Sequence, residues 1–511
     1  MTPFPLQSDL ALQLGVVGAY LLVALAVGVV AYRLTDNTAE DYYLASRTLG
    51  TVVLLFTTFA TLLSAFTFFA GPNIAYNAGP EWILVMGVMD GVVFAVLWYV
   101  IGYKQWLVGR ARGYVTLGEM LGDRFGSTAL RMAVAGIALF WLLPYVMLQQ
   151  RGAGLALSGL TNGAVPVWAG AGAITVFMIL YVAISGMRGV AWTDTLQGAF
   201  MLSVVWIAVL WVLSSVGGAG AATARLGDVA PEFLGLGGGL YTPQYVISTA
   251  IYIAFGVTMF PQINQRFFAA GSKETLKRTF ALWPVLVLLL FVPAFMLGAW
   301  ARGLGVEVPA GENVLPILLE AFTPTWFAAL VIAGALAAMM SSSDSMLLSG
   351  ASYLTRDVYR PLFGRPDREA LVARLGVAAF ALVAYALSLT TGATLRVIGE
   401  TAFGGFAQLA LPVIVALYWR RTTKAGMLAG VLGSQAFYLA HVAVTIPLVR
   451  DLFGLAGEAS LASLGAAFYL GWAPQLVGMA LSLLLTVGVS AVTSPASSEE
   501  RAVYFESLRA D

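Results

Sequence analysis

Long apolar runs separated by short polar breaks organise the whole chain. Stretches of about 20 apolar residues, enough to cross a hydrocarbon core as a helix, recur thirteen times. They centre approximately on residues 11–33, 50–76, 81–103, 128–150, 165–185, 191–217, 243–262, 279–302, 325–348, 371–391, 398–418, 424–446 and 466–491. The pattern predicts an all-α polytopic membrane protein of about thirteen transmembrane helices. The first run has no basic leader, so it reads as a spanning helix and not as a cleaved signal. The tail after Val492, "TSPASSEERAVYFESLRAD", is polar and expected to be mobile. No repeat is visible by eye, although an inverted structural repeat escapes such inspection.

Composition sharpens this picture. The chain is 59% hydrophobic and 10% charged, with a mean hydropathy of +0.85, against roughly 25% charged residues in soluble domains. Of 27 Lys and Arg, 22 fall in connecting segments on one side. The other side keeps Arg151, Arg225, Arg302, Arg396 and Arg450. By the positive-inside rule the N-terminus lies outside and the C-terminus in the cytoplasm of a cell inner or plasma membrane. Zero cysteines exclude disulfides, thiolate catalysis and cysteine metal clusters. The lone histidine, His441, reads as an ordinary packed or interfacial side chain. A net charge of +1 points to no nucleic-acid partner.

Polar groups at membrane depth are functional candidates by default. The second run, "LLFTTFATLLSAFTFFAGPNIAYNAG", carries Thr57, Thr58, Thr61, Ser64 and Thr67, then Gly71-Pro72. Either these hydroxyls re-satisfy backbone where the helix is interrupted, or they pack helices. The seventh run has Gly256 mid-span and Pro261 after it, so it too is breakable. Two interrupted helices about five spans apart are the pointer to a transporter's midplane site. Asp90 is an acid with no cation nearby in sequence, reading as a substrate or ion contact, or as a structural hydrogen bond. Asp194 reads as a helix cap if taken alone. Gln408 is a substrate contact or a packing group.

The run "ALAAMMSSSDSMLLSGAS" (335–352) puts Ala338, Ser341 and Ser345 on one helix face with Ser342 beside it. Hydroxyl and carbonyl oxygens suit a hard cation such as sodium. The alternative is that the serines cap the helix end, with Asp344 reaching Arg356.

Five motifs in order carry a resemblance: "YYLASRTLG" (42–50), "TLGEMLGDRFGS" (116–127), "AWTDTLQG" (191–198), "FPQINQRFFAAGS" (260–272) and "AAMMSSSDSMLLSGASYLTRDVY" (337–359). Together they resemble the sodium:solute symporter family over roughly residues 40 to 425. The resemblance implies two inverted five-helix repeats of the neurotransmitter:sodium symporter (LeuT-like) fold. These are residues 50–217 and 218–423, flanked by an extra helix and loop (1–49), two further helices (424–492) and the tail (493–511). It also implies Na+ as the coupling ion. Ser341 and Ser342 then supply hydroxyls, Ala338, Ala60 and Leu63 supply carbonyls, and Asp194 lies near the intracellular ion exit. Leu62 stands where sodium/proline members place an aspartate. The run "LLSAFTFFAGPNIAYNAG" resembles the pantothenate and monocarboxylate branch.

The function expected is sodium-coupled import of a small carboxylate or zwitterion by alternating access, without enzymatic activity. Proton coupling through Asp90 or Asp194 is one alternative. A sensory module with a partner in trans is another, the 19-residue tail leaving no room for a kinase. An intramembrane serine hydrolase is disfavoured, because the only histidine is far from these serines in the topology. Expected partners are the solute, sodium and the lipid bilayer; monomer and homo-oligomer both stay open. The substrate pocket is expected between the two breaks, lined by Ser64, Thr67, Gly71, Asp90, Tyr252, Phe255, Gly256, Gln262 and Gln408, with Tyr252 and Phe255 as an aromatic lid.

Overall fold

A computed structural model describes residues 10–33, 39–364, 368–446, 460–495 and 504–506. Among these, helices dominate and ten are long and apolar enough to cross a membrane. Two bent pairs raise the number to twelve, and the thirteenth expected run forms the shorter helix Val167–Val182. Every expected span therefore has a helical counterpart.

The helices that build the site are labelled in chain order. α1 is Leu10–Val30, and α2 (Thr51–Leu62) and α3 (Phe66–Ala78) form the first bent pair, at 62°. α4 is Ile83–Arg112, α5 Leu117–Arg124, α6 Thr128–Leu160, α7 Val167–Val182 and α8 Gly186–Val216. α9 (Pro243–Thr258) and α10 (Pro261–Ala269) form the second pair, at 55°. α11 is Lys273–Gly303, α12 Val314–Phe322, α13 Thr325–Phe363, α14 Glu369–Thr390, α15 Leu395–Tyr418, α16 Lys424–Thr445 and α17 Pro474–Val492.

Neither break falls at the glycine expected to cause it. The first chain break is at Leu63 and Ser64, where Leu63 turns extended (φ −74°, ψ 128°). Gly71 lies inside α3, where a Cβ would strike the Phe295 ring. Its role is to let α3 close on α11. The second break is at Met259 and Phe260, ahead of Pro261 in the first turn of α10. Proline has no N–H to lose there and favours a helix start. Gly256 sits inside α9, where a Cβ would strike the Phe403 carbonyl of α15.

Of the tail expected to be mobile, only residues 493–495 and 504–506 are among those described, and the second piece differs from expectation. Tyr504 and Phe505 are buried, because their rings cover arginines at the basic end of the bundle. His441 is a packed side chain: its Nδ1 meets the Phe437 carbonyl at 2.8 Å and its Nε2 the Tyr469 hydroxyl at 2.7 Å.

Candidate functional site

An interrupted helix frees backbone groups that nothing in hydrocarbon can satisfy, so the neighbours must. At the first break, Gln149 of α6 accepts from the Ala65 N–H at 2.8 Å. Ser64 accepts from the Phe66 N–H at 3.2 Å and from the Tyr145 hydroxyl at 3.2 Å, so it caps the first turn of α3. The carbonyl side is met from α13. The Ser342 hydroxyl lies 2.8 Å from the Thr61 carbonyl and 2.5 Å from the Leu63 carbonyl. One hydroxyl proton cannot serve both at once, so at least one carbonyl lone pair stays available. The two carbonyls met are those of Leu63, one of the expected donors, and of Thr61, next to the expected Ala60. Ala60 and Ala338 are fully buried alongside.

Each serine of the α13 run has its own task. Ser341 donates to Asp194 Oδ1 at 2.5 Å. Ser343 bonds back to the Met339 carbonyl of its own helix at 2.7 Å. Ser345 meets the Thr61 hydroxyl at 2.8 Å. The capping alternative is not realised: these residues are buried mid-helix, and Arg356 pairs with Glu119 at 2.6 Å instead of with Asp344.

Asp194 is no helix cap either. It lies two turns inside α8, and its Oδ2 accepts from Thr57 (2.6 Å), Thr61 (3.3 Å) and Arg266 (3.1 Å). The Arg266 Nη2 also reaches Thr57 at 3.1 Å and Ser345 at 2.6 Å. Both members of this ion pair are 1% exposed. Sequence motifs pointed to Asp194 but not to Arg266 as its counter-ion. A separation of 72 positions along the chain hides the pairing.

No cluster of three or more His, Cys, Asp or Glu side chains able to hold a metal occurs among the described residues. The oxygens of Thr61, Leu63 and Ser342 are all neutral. That donor set fits a weakly held monovalent hard cation and not a transition metal. Ser341 joins it to the Asp194 carboxylate.

On the α3 side of the break lies a cavity of only about 30 Å³, enough for a water or two and far below a solute's needs. Ser64 and Thr67 line it, with Tyr145, Ile253, Trp283 and Phe403. The expected lid is replaced. Ile253 and Val257 face the cavity from α9, and Tyr252 and Phe255 do not line it. The rings that line it are Phe66, Tyr145 and Phe403, with Phe66 and Tyr145 packed on Phe403 at 5.2 and 5.4 Å between centres and Phe260 backing Phe403 at 5.8 Å. Gln408 is turned away, its Nε2 bonding the carbonyls of Gly404 (2.8 Å) and Gln475 (3.1 Å) at the α15–α17 contact. Gly71 and Gly256 serve helix packing. Gln262 is buried with both amide atoms unpartnered, and its carbonyl accepts from Arg266 at 3.1 Å.

Asp90 is 1% exposed, and neither carboxyl oxygen has a hydrogen-bond partner. It follows a π-helical stretch, Ile83–Met89, a distortion that often re-aims side chains at functional sites. Met86 and Phe94, one turn to either side, both line the cavity, whereas Asp90, expected in the lining, does not, although helical spacing puts it on their side of the helix.

Two wider openings flank this closed centre. One of about 560 Å³ borders Ala70, Asn73, Arg151, Glu312 and Arg396, at the end poor in basic residues. The other, about 420 Å³, borders Arg112, Glu119, Asp123, Arg131 and Arg356 at the basic end. Between the latter and the Ser341–Ser345 run stand the pairs Arg131–Glu119 (3.1 Å), Arg131–Asp357 (2.8 Å) and Arg356–Glu119.

The model of the sodium:solute symporter family matches residues 42–433. The chain belongs to this family. It is 27% identical over 482 residues to the sodium/pantothenate symporter of Escherichia coli K12, covering 91% of this chain and 93% of that protein. It is 28% identical over 458 residues to the osmoregulated proline transporter OpuE of Bacillus subtilis 168, covering 83% and 87%. Among solved structures, a substrate-bound, outward-open Na+-coupled sialic acid symporter aligns with a TM-score of 0.73 at 19% identity, over 95% of this chain and 99% of that one. Mhp1, a nucleobase-cation-symport-1 family transporter, aligns at 0.58 and 17% identity, over 91% and 97%. The symporter therefore has the LeuT-like fold, a multi-pass membrane protein whose named relatives are transporters.

Proposed function

We propose that this symporter couples sodium entry to import of a small carboxylate or zwitterion by alternating access, with its basic end in the cytoplasm. The observation that carries the reading is Ser342 set against the Thr61 and Leu63 carbonyls at the first break. A sodium ion there would take oxygens from Ser342, Ser341, Leu63 and either Thr61 or Ala60, with Ala338 completing the shell. Bound sodium supplies positive charge where the two halves of the broken helix meet α13. That charge favours the arrangement in which all of these oxygens converge. Asp194, joined through Ser341, is then the group to which the ion passes on its way out. Arg266 must yield its place for that step.

The solute is inferred from two features. Asp90, a buried carboxyl without a partner one helical turn from the cavity-lining Met86 and Phe94, invites an ammonium group, which favours a zwitterion. Arg151 and Arg396 at the opening opposite the basic end draw a carboxylate towards it. The pantothenate and proline relatives act on a carboxylate and a zwitterion respectively, in keeping with this class. The same lone carboxyl supports a second reading, in which Asp90 carries a proton and sodium is dispensable.

Radiolabelled uptake into proteoliposomes, screened over carboxylates and amino acids with and without a sodium gradient, separates the two. Uptake that follows the sodium gradient is expected. Uptake driven equally by a proton gradient in sodium-free buffer would sink the first reading and favour the second.

A further inference from the structure

The tail is polar apart from a few positions, yet two of its aromatic residues are sequestered. Tyr504 and Phe505 are 3% and 7% exposed. The Arg124 guanidinium, at the end of α5, lies 4.8 Å from the centre of each ring and 4.9 Å from that of Phe125. Arg420, just beyond α15, lies 5.2 Å from the Phe505 ring. An arginine stacked on aromatic faces gains from the ring quadrupole, more so once desolvated. Burial pushes the Tyr504 hydroxyl up to about 12, so the ring stays neutral. Arg124 also donates from Nη2 to the Trp419 carbonyl at the end of α15, at 3.1 Å. The rings therefore cover the joint between α5 and α15.

That joint matters because of what α5 carries. Its Glu119 accepts from Arg131 of α6 and from Arg356 of α13. Its Leu117 N–H bonds the Tyr353 hydroxyl of α13 at 3.2 Å. α13 is the helix of the Ser341–Ser345 run, so α5 lies as a bar across its basic end. Opening a path from Asp194 to the basic side requires this layer to part.

We propose that Tyr504 and Phe505 form a latch that pins α5 to the end of α15 and so holds the basic face closed, making the tail an internal brake on the transport cycle. The proposal rests on the transport and orientation reading above. It predicts that freeing the two rings shifts the population towards the state open at the basic face, without touching the ion or solute sites.

The chain's lack of cysteine permits a clean test with Ser349→Cys as reporter. Ser349 is fully buried on α13 and bonds only to its own helix, at the Met346 carbonyl. Inside-out vesicles are treated with a membrane-impermeant maleimide. Comparison is between the full chain, the Tyr504→Ala/Phe505→Ala variant, and a chain truncated after Thr493. Loss of the latch should raise the modification rate about fivefold or more, the lower end of ordinary coupling effects. A peptide of residues 493–511 should return the truncated chain to the full-length rate. An unchanged rate overturns the latch, and so does a rise that the peptide does not reverse, which would mark general loosening. If the double variant does not fold, Arg420→Gln, which removes one of the ring contacts, should give a smaller rise; no rise there also overturns it. Modification only in right-side-out vesicles would instead refute the orientation, and the same rate comparison made in those vesicles then supports the latch by a peptide-reversible rise or overturns it by none.

Discussion

The Arg266 guanidinium stands 3.1 Å from the Asp194 carboxylate, with both side chains 1% exposed and one turn of α13 beside them. Two charges removed from water this fully are held by each other and by Thr57, Thr61, Ser341, Ser345 and the Gln262 carbonyl. Removing one member of such a pair is costly, whereas removing both is much less so. Arg266→Gln alone should lower stability by about 3–5 kcal/mol, and Arg266→Gln/Asp194→Asn should recover most of it. Thermal unfolding in detergent checks this. Equal loss in the single and double variants would show that the charges are not coupled.

Transport should separate the two serines that sequence reading treats alike. Ser342 faces the broken helix and Ser341 faces Asp194. Ser342→Ala should raise the sodium concentration for half-maximal uptake by about tenfold, the equivalent of one lost ligand at about 1.4 kcal/mol. Ser341→Ala should raise it too and also slow turnover, because Ser341 bonds Asp194, whereas Asp194→Asn should act mainly on turnover. Sodium titrations of initial uptake rates give both quantities, and wild-type sodium dependence of Ser342→Ala would displace the ion from this break.

Asp90 offers an unusual trade between stability and function. A buried carboxyl without a hydrogen-bond partner costs about 1–3 kcal/mol relative to a group that fits its surroundings. Asp90→Leu should therefore unfold at a higher temperature than the wild type while losing solute uptake. Sodium-dependent protection against unfolding should persist. A less stable Asp90→Leu protein would mean that the carboxyl has a partner.

Gly256 should behave as a packing residue. A leucine there meets the Phe403 carbonyl, which belongs to backbone and cannot swing aside. Gly256→Leu should abolish folded protein in the membrane instead of selectively blocking solute. Size-exclusion profiles would decide, and a monodisperse variant lacking only solute binding would return Gly256 to the pocket.

Much of this protein is legible in the order of its residues because a bilayer leaves few choices. Twenty apolar residues in hydrocarbon must be helical, and basic residues crowd one face, so the spans and their alternation follow from a one-dimensional pattern. The hydroxyl-rich second run and the serine cluster were readable for the same reason, since polar groups at that depth need a purpose. Tertiary structure decided where the chain breaks and what meets it there. The bends fall at Leu63–Ser64 and Met259–Phe260 because Gln149, Tyr145, Ser342 and Pro261 can satisfy or tolerate freed backbone groups at those points. Gly71 and Gly256 go instead to close helix contacts with Phe295 and Phe403. Arg266 as the partner of Asp194, and Tyr504 and Phe505 as covers for Arg124, were hidden because each joins groups tens to hundreds of residues apart. Such contacts are set by how helices pack, and periodicity along one helix says nothing of what stands opposite it.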